Sequence, residues 1–315
     1  MLDIQNILVC PVSKQKLTKQ DGTYTDPHKQ KHYKIVDDIG IFLTEDLNEI
    51  KKVETETYSQ RAEEFSEDET QIMHMRRPEF TKPMRDLGKD GVFLEIACGS
   101  AAHGLNMLKD GYKVIESDIA IGTVSKVKQF AHKLKVDNKA SFAVIDAEYL
   151  PFADNSLSGI YMIASLHHIP TPAKALKEFK RCLKPGGVVL IGYEPSNWQY
   201  IVFGPVYKML RFFIRKMYKN RLISLADDHT FGFSKRKLAK LLKEADLEVI
   251  SIKPVHFTYK TYQNWLILWG KIFKKEFKEV EGLAKILKAI DKVWAKIPVL
   301  RGLTWDWDAL GRKKI

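Results

Sequence analysis

The chain has 315 residues, 45% hydrophobic and 29% charged, which excludes an intrinsically disordered polymer and leaves room for one large core with appendages. No run of roughly 18 uncharged apolar residues exists from which a bilayer-spanning helix could be built. The net charge of +12 is concentrated: residues 1–195 hold 26 Lys and Arg against 28 Asp and Glu, whereas residues 196–315 hold 25 against 11, an excess suited to an anionic surface such as lipid headgroups or nucleic acid.

In chain order, residues 1–48 read as a small β-rich unit. Ile7-Leu8-Val9 enters it, Asp21-Gly22 and Asp26-Pro27 turn it, and Ile39-Gly40-Ile41-Phe42-Leu43 closes it. Its start, MLDIQNILVCP, has no basic stretch and no long apolar run, so a signal peptide is not expected there. Cys10, Cys98 and Cys182 are odd in number and far apart, which predicts no disulfide framework and a reducing, cytoplasmic setting. Residues 49–90 are acidic and then basic, and are predicted to be helices leading into the next domain.

From residue 91 to 195 the pattern alternates regularly. Strands are predicted over Val92–Ile96, Tyr112–Glu116, 141–145, Gly159–Ile163 and Val188–Gly192. Helices are predicted between them over Ala101–Lys109, 121–135 and Pro172–Leu183. Apolar strands alternating with helices of this length mean right-handed crossovers and a parallel sheet, whose ligands gather beyond the carboxyl ends of the strands.

After Pro195 the alternation stops. Residues 196–224 contain no Asp or Glu but six Lys and Arg, and are predicted to be a basic amphipathic insertion. Trp198, Ile201 and Val202, Pro205 and Val206, Met209 and Leu210, and Phe213 fall on its apolar stripe, with Lys208, Arg211, Arg215 and Lys219 towards the other side. The core resumes over 225–256, with Ser234 as a helix cap, a helix to 245 and a strand over Leu247–Ile252. Residues 257–299 are predicted to be a helical cap, in which Val280, Leu283, Leu287, Ile290, Trp294 and Ile297 recur at the helical period. Residues 300–315 include LTWDWDALGRK, which alternates with period two and reads as a last strand.

Chemistry concentrates at the strand ends. The first strand runs into EIACGSAAHG, Glu95 to Gly104, where small residues open a helix. Ala97 and Ala101 stand where nucleotide-cofactor loops usually carry glycine, and alanine fits there as long as φ is negative. Asp118 closes the second strand, where a carboxylate can accept both ribose hydroxyls of an adenosine. Asp146-Ala147-Glu148 ends the third, where an acidic side chain can accept from an adenine amino group. LKPGGVVLIGYEP makes a tight turn at Pro185 before a buried strand.

Through the strings EIACGS, SDIA, DAEYLPFADNS, SLHHIP and ALKEFKRCLKPGG, residues 90–195 resemble the class I S-adenosylmethionine-dependent methyltransferases, in particular the ubiquinone/menaquinone-biosynthesis group. The resemblance implies an α/β fold: a Rossmann-like seven-stranded sheet with helices on both faces, here with a small β-rich N-terminal module and helical C-terminal insertions. It implies S-adenosylmethionine as cofactor, with Glu95, Ala97 and Gly99 along its methionine part, Asp118 at the ribose, and Asp146 with Ala147 at the adenine. Ile119 and Glu148 fall beside these positions, and YSQRAEEF at 58–65 resembles the helix preceding such domains, adding Tyr58 as a contact.

A sulfonium methyl donor is already activated, so alignment supplies much of the rate, and a general base is needed only where the acceptor must lose a proton. His167 and His229 are the catalytic candidates, with His168, Tyr193 and Glu194 also near strand ends. A capping turn for His167-His168 and a plain loop for Asp228-His229 remain open alternatives.

ILVCPVSKQKL…HYKIVDDIGIFL resembles the small zinc-ribbon-like domain that accompanies some methyltransferases, but one thiol, Cys10, replaces its two cysteine pairs. His28 and His32 miss the positions of the second pair, so no metal is expected. Three functions remain in competition. The first is methyl transfer to a small hydrophobic or membrane-associated acceptor, with residues 196–224 against an anionic membrane. The second is an rRNA or tRNA methyltransferase, whose substrate phosphates would meet the C-terminal charge. The third is a non-catalytic S-adenosylmethionine-binding scaffold. The apolar yet basic insertion favours the first.

Overall fold

In the computed structural model, which describes residues 1–27, 31–45, 47–65, 78–202, 204, 231–255, 257–273, 275, 277–298 and 300–315, the alternation from residue 91 is built as a parallel sheet. Its strands are β5 (Val92–Ile96), β6 (Lys113–Asp118), β7 (Ala140–Val144), β8 (Leu157–Ile163) and β9 (Leu183–Pro195). Two more, β10 (Glu248–Pro254) and β11 (Asp306–Arg312), complete it: β11 pairs antiparallel with β9 and β10 antiparallel with β11. The resulting order, β7-β6-β5-β8-β9-β11-β10, is the seven-stranded arrangement expected. The strand order reverses at β5, with β6 and β7 added on one side and β8 and β9 on the other, and the crevice at that switch is where open α/β sheets bind ligands.

The sheet does not stop at seven strands. β1 (Thr18–Gln20), β2 (Thr23–Asp26), β3 (Lys31–Val36) and β4 (Ile39–Ile41) form an antiparallel meander, and β4 joins the free edge of β7 in parallel, giving eleven strands among the described residues. Phe42 N–H donates to Val144 O at 2.8 Å, and Leu8, Cys10, Leu17, Tyr33 and Phe42 pack into the core shared with β5, β7 and β8. The first 48 residues are therefore an extension of the sheet rather than a separate ribbon. The physical reason is the exposed edge of β7, whose unpaired backbone groups are satisfied by β4. Cys10 Sγ lies 3.1 Å from Tyr33 Oη and accepts from Ser13 N–H, while His32 Nδ1 contacts Thr25 Oγ1; His28 lies outside the described residues.

Alternation along the buried strands sends successive side chains to opposite faces. Leu94, Ile96, Ile160 and Met162 meet helices α5 (Pro172–Cys182) and α6 (Lys235–Glu244) through Ala175, Leu176, Phe179, Leu238 and Leu242. Phe93, Val114, Phe142 and Tyr161 meet α2 (Pro78–Arg85), α3 (Ala102–Lys109) and α4 (Ile121–Lys133) on the other face. Ser234 caps α6 by accepting from Lys237 N–H, as its side chain suggested. The lead-in is a helix, α1 (Glu49–Arg61), capped by Asn48, which accepts from Lys51 N–H. The C-terminal cap is a helical pair, α7 (Thr258–Phe273) and α8 (Glu281–Trp294). Of the basic insertion, Trp198 anchors its start, donating from the indole N–H to Thr304 O, and Ile201 and Val202 are exposed. Pro205, Val206, Met209, Leu210, Phe213, Lys208, Arg211, Arg215 and Lys219 lie outside the described residues.

Candidate functional site

The carboxyl ends of β5, β6, β7 and β8 border one cavity of about 210 Å³. Ile96, Ala97 and Gly99 approach it from the loop after β5, Asp118 and Ile119 from β6, Ile145, Asp146 and Ala147 from β7, and Ile163, Ala164 and Ser165 from β8. Helix α1 lies over the opening and contributes Lys51, Glu54 and Tyr58, and His168, Ile169 and Pro170 complete the wall.

The loop after β5 is held from behind. Cys98 N–H donates to Ser117 O at 2.9 Å and Ala101 N–H to Cys98 O at 2.7 Å, which folds the chain tightly into α3. That turn requires positive φ at Ala97 (52°), Gly99 (52°) and Ala101 (49°). The expectation of negative φ at the two alanines is therefore overturned: both sit in the left-handed region, strained by roughly 1–2 kcal/mol each. Ala164, at the end of β8, has the same left-handed backbone at 49°, so two of the alanines lining the cavity are strained. A Cβ built at Gly99 would meet nothing within 4 Å, which leaves an unobstructed backbone edge facing the cavity. Replacing Ala97 by glycine is expected to raise stability by about 0.5–1 kcal/mol, the strain relief less the added chain entropy. Ala101→Gly, which also empties a fully buried methyl position, is expected to be near neutral. Thermal melts of the two variants check both, and a destabilised Ala97→Gly would show the strain to be absent.

Glu95 does not join this cavity. Strand alternation turns it to the other face, beneath α3, where its Oε2 accepts from Gly104 N–H at 3.0 Å and Tyr161 O–H at 3.3 Å. It is paired there with the buried Glu116, and a Cβ on Gly104 would collide with both carboxyls. Burial pushes Glu95 up to about 7, against hydrogen bonds from Glu116, Tyr161 and Gly104, and raises Glu116 well above the usual carboxylate range. Its assignment to the methionine part is corrected to the support of the loop.

Asp118 reaches the cavity with its carboxylate fixed: Oδ1 accepts from Ala120 N–H at 3.0 Å and Oδ2 from Gly99 N–H at 3.4 Å. Burial pushes it up to about 6, in spite of these backbone donors. Asp146 is also fixed, but by a partner 95 residues away along the chain. Its Oδ1 accepts from Glu148 N–H, and its Oδ2 from Lys51 Nζ at 2.7 Å. Lys51 Nζ also lies 3.0 Å from Glu148 Oε2, while Glu148 Oε1 accepts from Thr171 N–H. Glu148 is thus a member of a buried ion cluster and does not line the cavity. Burial alone would lower the Lys51 pKa, but the hydrogen bonds and charges of Asp146 and Glu148 outweigh it and raise it.

Of the two catalytic candidates, His229 lies outside the described residues, and His167 stands behind the cavity wall. Its Nδ1 is 3.0 Å from Glu194 Oε2, and Glu194 accepts backbone N–H groups from Ser165, Leu166 and His167. The turn needs that carboxylate to satisfy its amides, so His167 is tied into the scaffold. His168 takes its place at the wall: its ring lies 4.2 Å from that of His167, edge-on to Tyr58, with Nδ1 3.4 Å from Glu54 Oε2. Tyr193, also at a strand end, is outside the cavity lining and donates its N–H to Asp308. Lys51 and Glu54 were missed because α1 buries a polar face, Lys51, Glu54 and Thr57, so hydropathy leaves no stripe. The spacing Lys51, Glu54, Tyr58 was the available signal, since residues three and four apart share a helix side.

Residues 94–191 match the family described as "Methyltransferase domain". The demethylmenaquinone methyltransferase of Corynebacterium glutamicum is 32% identical over 128 residues, 41% of this chain and 52% of that protein. The 27-O-demethylrifamycin SV methyltransferase of Amycolatopsis mediterranei is 30% identical over 100 residues, 31% of this chain and 37% of that protein. This part of the chain is a class I methyltransferase domain. The fold agrees: the structure of phosphoethanolamine N-methyltransferase 2 from Haemonchus contortus, in complex with S-adenosyl-L-methionine, has a TM-score of 0.51 at 14% identity, over 86% of this chain and 61% of that one. The chain spans about half the length, or less, of the Corynebacterium and Amycolatopsis relatives.

S-adenosylmethionine is the cofactor of a class I methyltransferase domain, and the cavity fits it. The open edge at Gly99 admits a close-lying ligand backbone, buried Asp118 presents lone pairs beyond those its amides use, and Ile119, Ile145 and Ala147 offer an apolar slot beside Asp146.

Proposed function

We propose that the protein transfers a methyl group from S-adenosylmethionine to a small, hydrophobic acceptor. The observation that carries this reading is the single cavity into which four strand ends bring Gly99, Asp118, Asp146 and His168. In it Asp118 would accept from the ribose hydroxyls, the Gly99 and Ala97 backbone would follow the methionine part, and Ile119, Asp146 and Ala147 would hold the adenine. The cofactor supplies an activated methyl on sulfur. The residues of the chain need only align the acceptor, exclude water and take a proton where one must leave. Tyr58 and α1 cover the opening, and the apolar side chains Ile163 and Ile169 border it beside His168. His168 Nδ1 lies 3.4 Å from Glu54 Oε2 at the cavity wall, a position from which its ring could accept the acceptor's proton. Support for an apolar acceptor comes from that lining and from relatives named for demethylmenaquinone and demethylrifamycin, with a 4-C sterol methyltransferase of Caenorhabditis elegans among them.

Calorimetry tests the binding part: wild type is expected to bind S-adenosylmethionine, and Asp118→Ala to weaken it about 10–100-fold, the loss of charged hydrogen bonds of about 1.5–3 kcal/mol. Methyl label offered to a fractionated lysate tests the acceptor, with label expected in the lipid or small-molecule fraction. Under those conditions His168→Phe is expected to slow transfer about 100-fold or more while leaving cofactor affinity nearly unchanged. Absence of cofactor binding would leave only a scaffold, and label in RNA would replace the acceptor class.

A further inference from the structure

The helical pair α7 and α8 carries an apolar surface that nothing among the described residues covers. On α7, Trp265, Trp269 and Phe273 recur every four residues, so they line one side of the helix. Their rings form a continuous ladder: Trp265 and Trp269 are stacked with centroids 6.1 Å apart, Trp269 and Phe273 at 5.3 Å, and Phe273 meets Phe277 at 6.3 Å. On α8, Leu283, Ile286, Ile290 and Val293 recur at spacings of three and four, and Ile297 follows just past its end. Each of these eight side chains is at least 40% exposed. They are not the residues that hold the pair together. That contact is made by Asp291, which accepts from Thr258 N–H and O–H at 2.7 Å, by Lys288 over the Tyr259 ring, and by Trp294 against Phe257.

The same pair is basic. Between residues 258 and 303 there are ten Lys and Arg against four Asp and Glu, and two of the four acids, Asp291 and Glu279, are engaged by Thr258 and Tyr259. Lys285 and Lys292 are exposed and each immediately precedes an exposed apolar residue of α8, so each stands about 100° round the helix from it, and exposed Lys296 precedes Ile297 just past the helix end. An apolar stripe with Trp and Phe, flanked by lysines whose stems can reach past it, matches a bilayer interface, where rings sit at headgroup depth and ammonium groups meet anionic lipid. No helix among the described residues is long and apolar enough to cross a membrane, so the contact would be interfacial. A second copy of the chain would bring like-charged lysine rows together, and a nucleic acid would leave the Trp ladder without a counterpart; an anionic lipid surface answers both features.

We infer that the α7–α8 pair docks the protein on anionic membranes through its exposed Trp–Phe ladder and Ile–Val stripe, with the adjacent lysines supplying charge attraction. Co-sedimentation with phosphatidylcholine vesicles, with and without phosphatidylglycerol, tests this on the full chain. Binding is expected only to the anionic vesicles and is expected to fall with salt. Trp265→Ser/Trp269→Ser and Lys285→Glu/Lys292→Glu/Lys296→Glu are each expected to weaken it about tenfold or more. These positions are exposed, so unchanged thermal melts would confirm that the variants are folded. No vesicle binding, equal binding to neutral vesicles, or unaltered binding by either folded variant would overturn the inference. So would a concentration-dependent dimer abolished by the tryptophan changes. Vesicle binding does not depend on the transfer reaction, so cofactor calorimetry on the same preparation keeps the two outcomes apart.

Discussion

Replacing Lys51 by methionine is expected to lower the unfolding free energy by about 3–5 kcal/mol. Lys51 Nζ sits 2.7 Å from Asp146 Oδ2 and 3.0 Å from Glu148 Oε2, and all three side chains are nearly excluded from solvent. A buried pair gains little over an apolar replacement of both partners, but removal of one leaves a charge that neither water nor a counterion reaches. Here two carboxylates would be left together. Adding Asp146→Asn to Lys51→Met is therefore expected to recover part of the loss, a non-additivity that denaturant unfolding of the three variants measures. A second consequence concerns the cavity. Lys51 is the tie that holds α1, and with it Glu54 and Tyr58, against the end of β7. Lys51→Met is thus expected to weaken cofactor binding as well, whereas Lys52→Met, on the exposed side of the same helix, is not. A loss below about 1 kcal/mol would place the cluster with ordinary surface salt bridges.

Glu116→Gln is expected to do the opposite and stabilise the protein at pH 8. Glu95 and Glu116 are buried together under α3. Tyr161 O–H and Gly104 N–H both donate to Glu95, which makes it the partner that carries charge, with Glu116 keeping its proton. Burial first, and then the Glu95 charge, raise Glu116 well above its ordinary 4.5. A carboxyl whose folded pKa exceeds its unfolded one binds its proton more tightly in the folded chain. Its favourable contribution is complete below about pH 4.5 and is lost as pH rises towards the folded value. Glutamine preserves the donor to Glu95 and has no proton to lose, so variant and wild type should converge near pH 5 and separate progressively above it. Melting temperatures measured from pH 5 to 8 read this directly, and parallel profiles would show that the two carboxyls do not share a proton.

Much of the fold was legible because its signals are local. Strands β5 to β9 are short apolar runs between helices, and βαβ handedness then leaves few ways to assemble them. The strand ends carrying Gly99, Asp118 and Asp146 could be located for the same reason. What escaped was orientation and partnership. Glu95 and Asp118 are both acids near strand ends, yet Asp118 ends its strand and reaches the cavity, whereas Glu95 lies one residue before the end of β5 and is covered by α3. Ala97 and Ala101 looked compatible with ordinary backbone until the hydrogen bonds from Cys98 and Ala101 defined a left-handed turn. His167 and His168 are adjacent in sequence, and only the placement of Glu194 and Glu54 distinguishes the scaffold residue from the one at the cavity wall.

The βαβ alternation, the cofactor-type strand ends and the concentration of charge after residue 196 are set within the sequence, because each depends on spacing or composition within a short window. Only the tertiary structure decided that the first 48 residues add four strands to the sheet, that Lys51 closes an ion cluster with Asp146 and Glu148, and that Glu95 and Glu116 share a buried site. These are contacts between residues far apart along the chain, and their energies come from burial and from partners that no local pattern specifies.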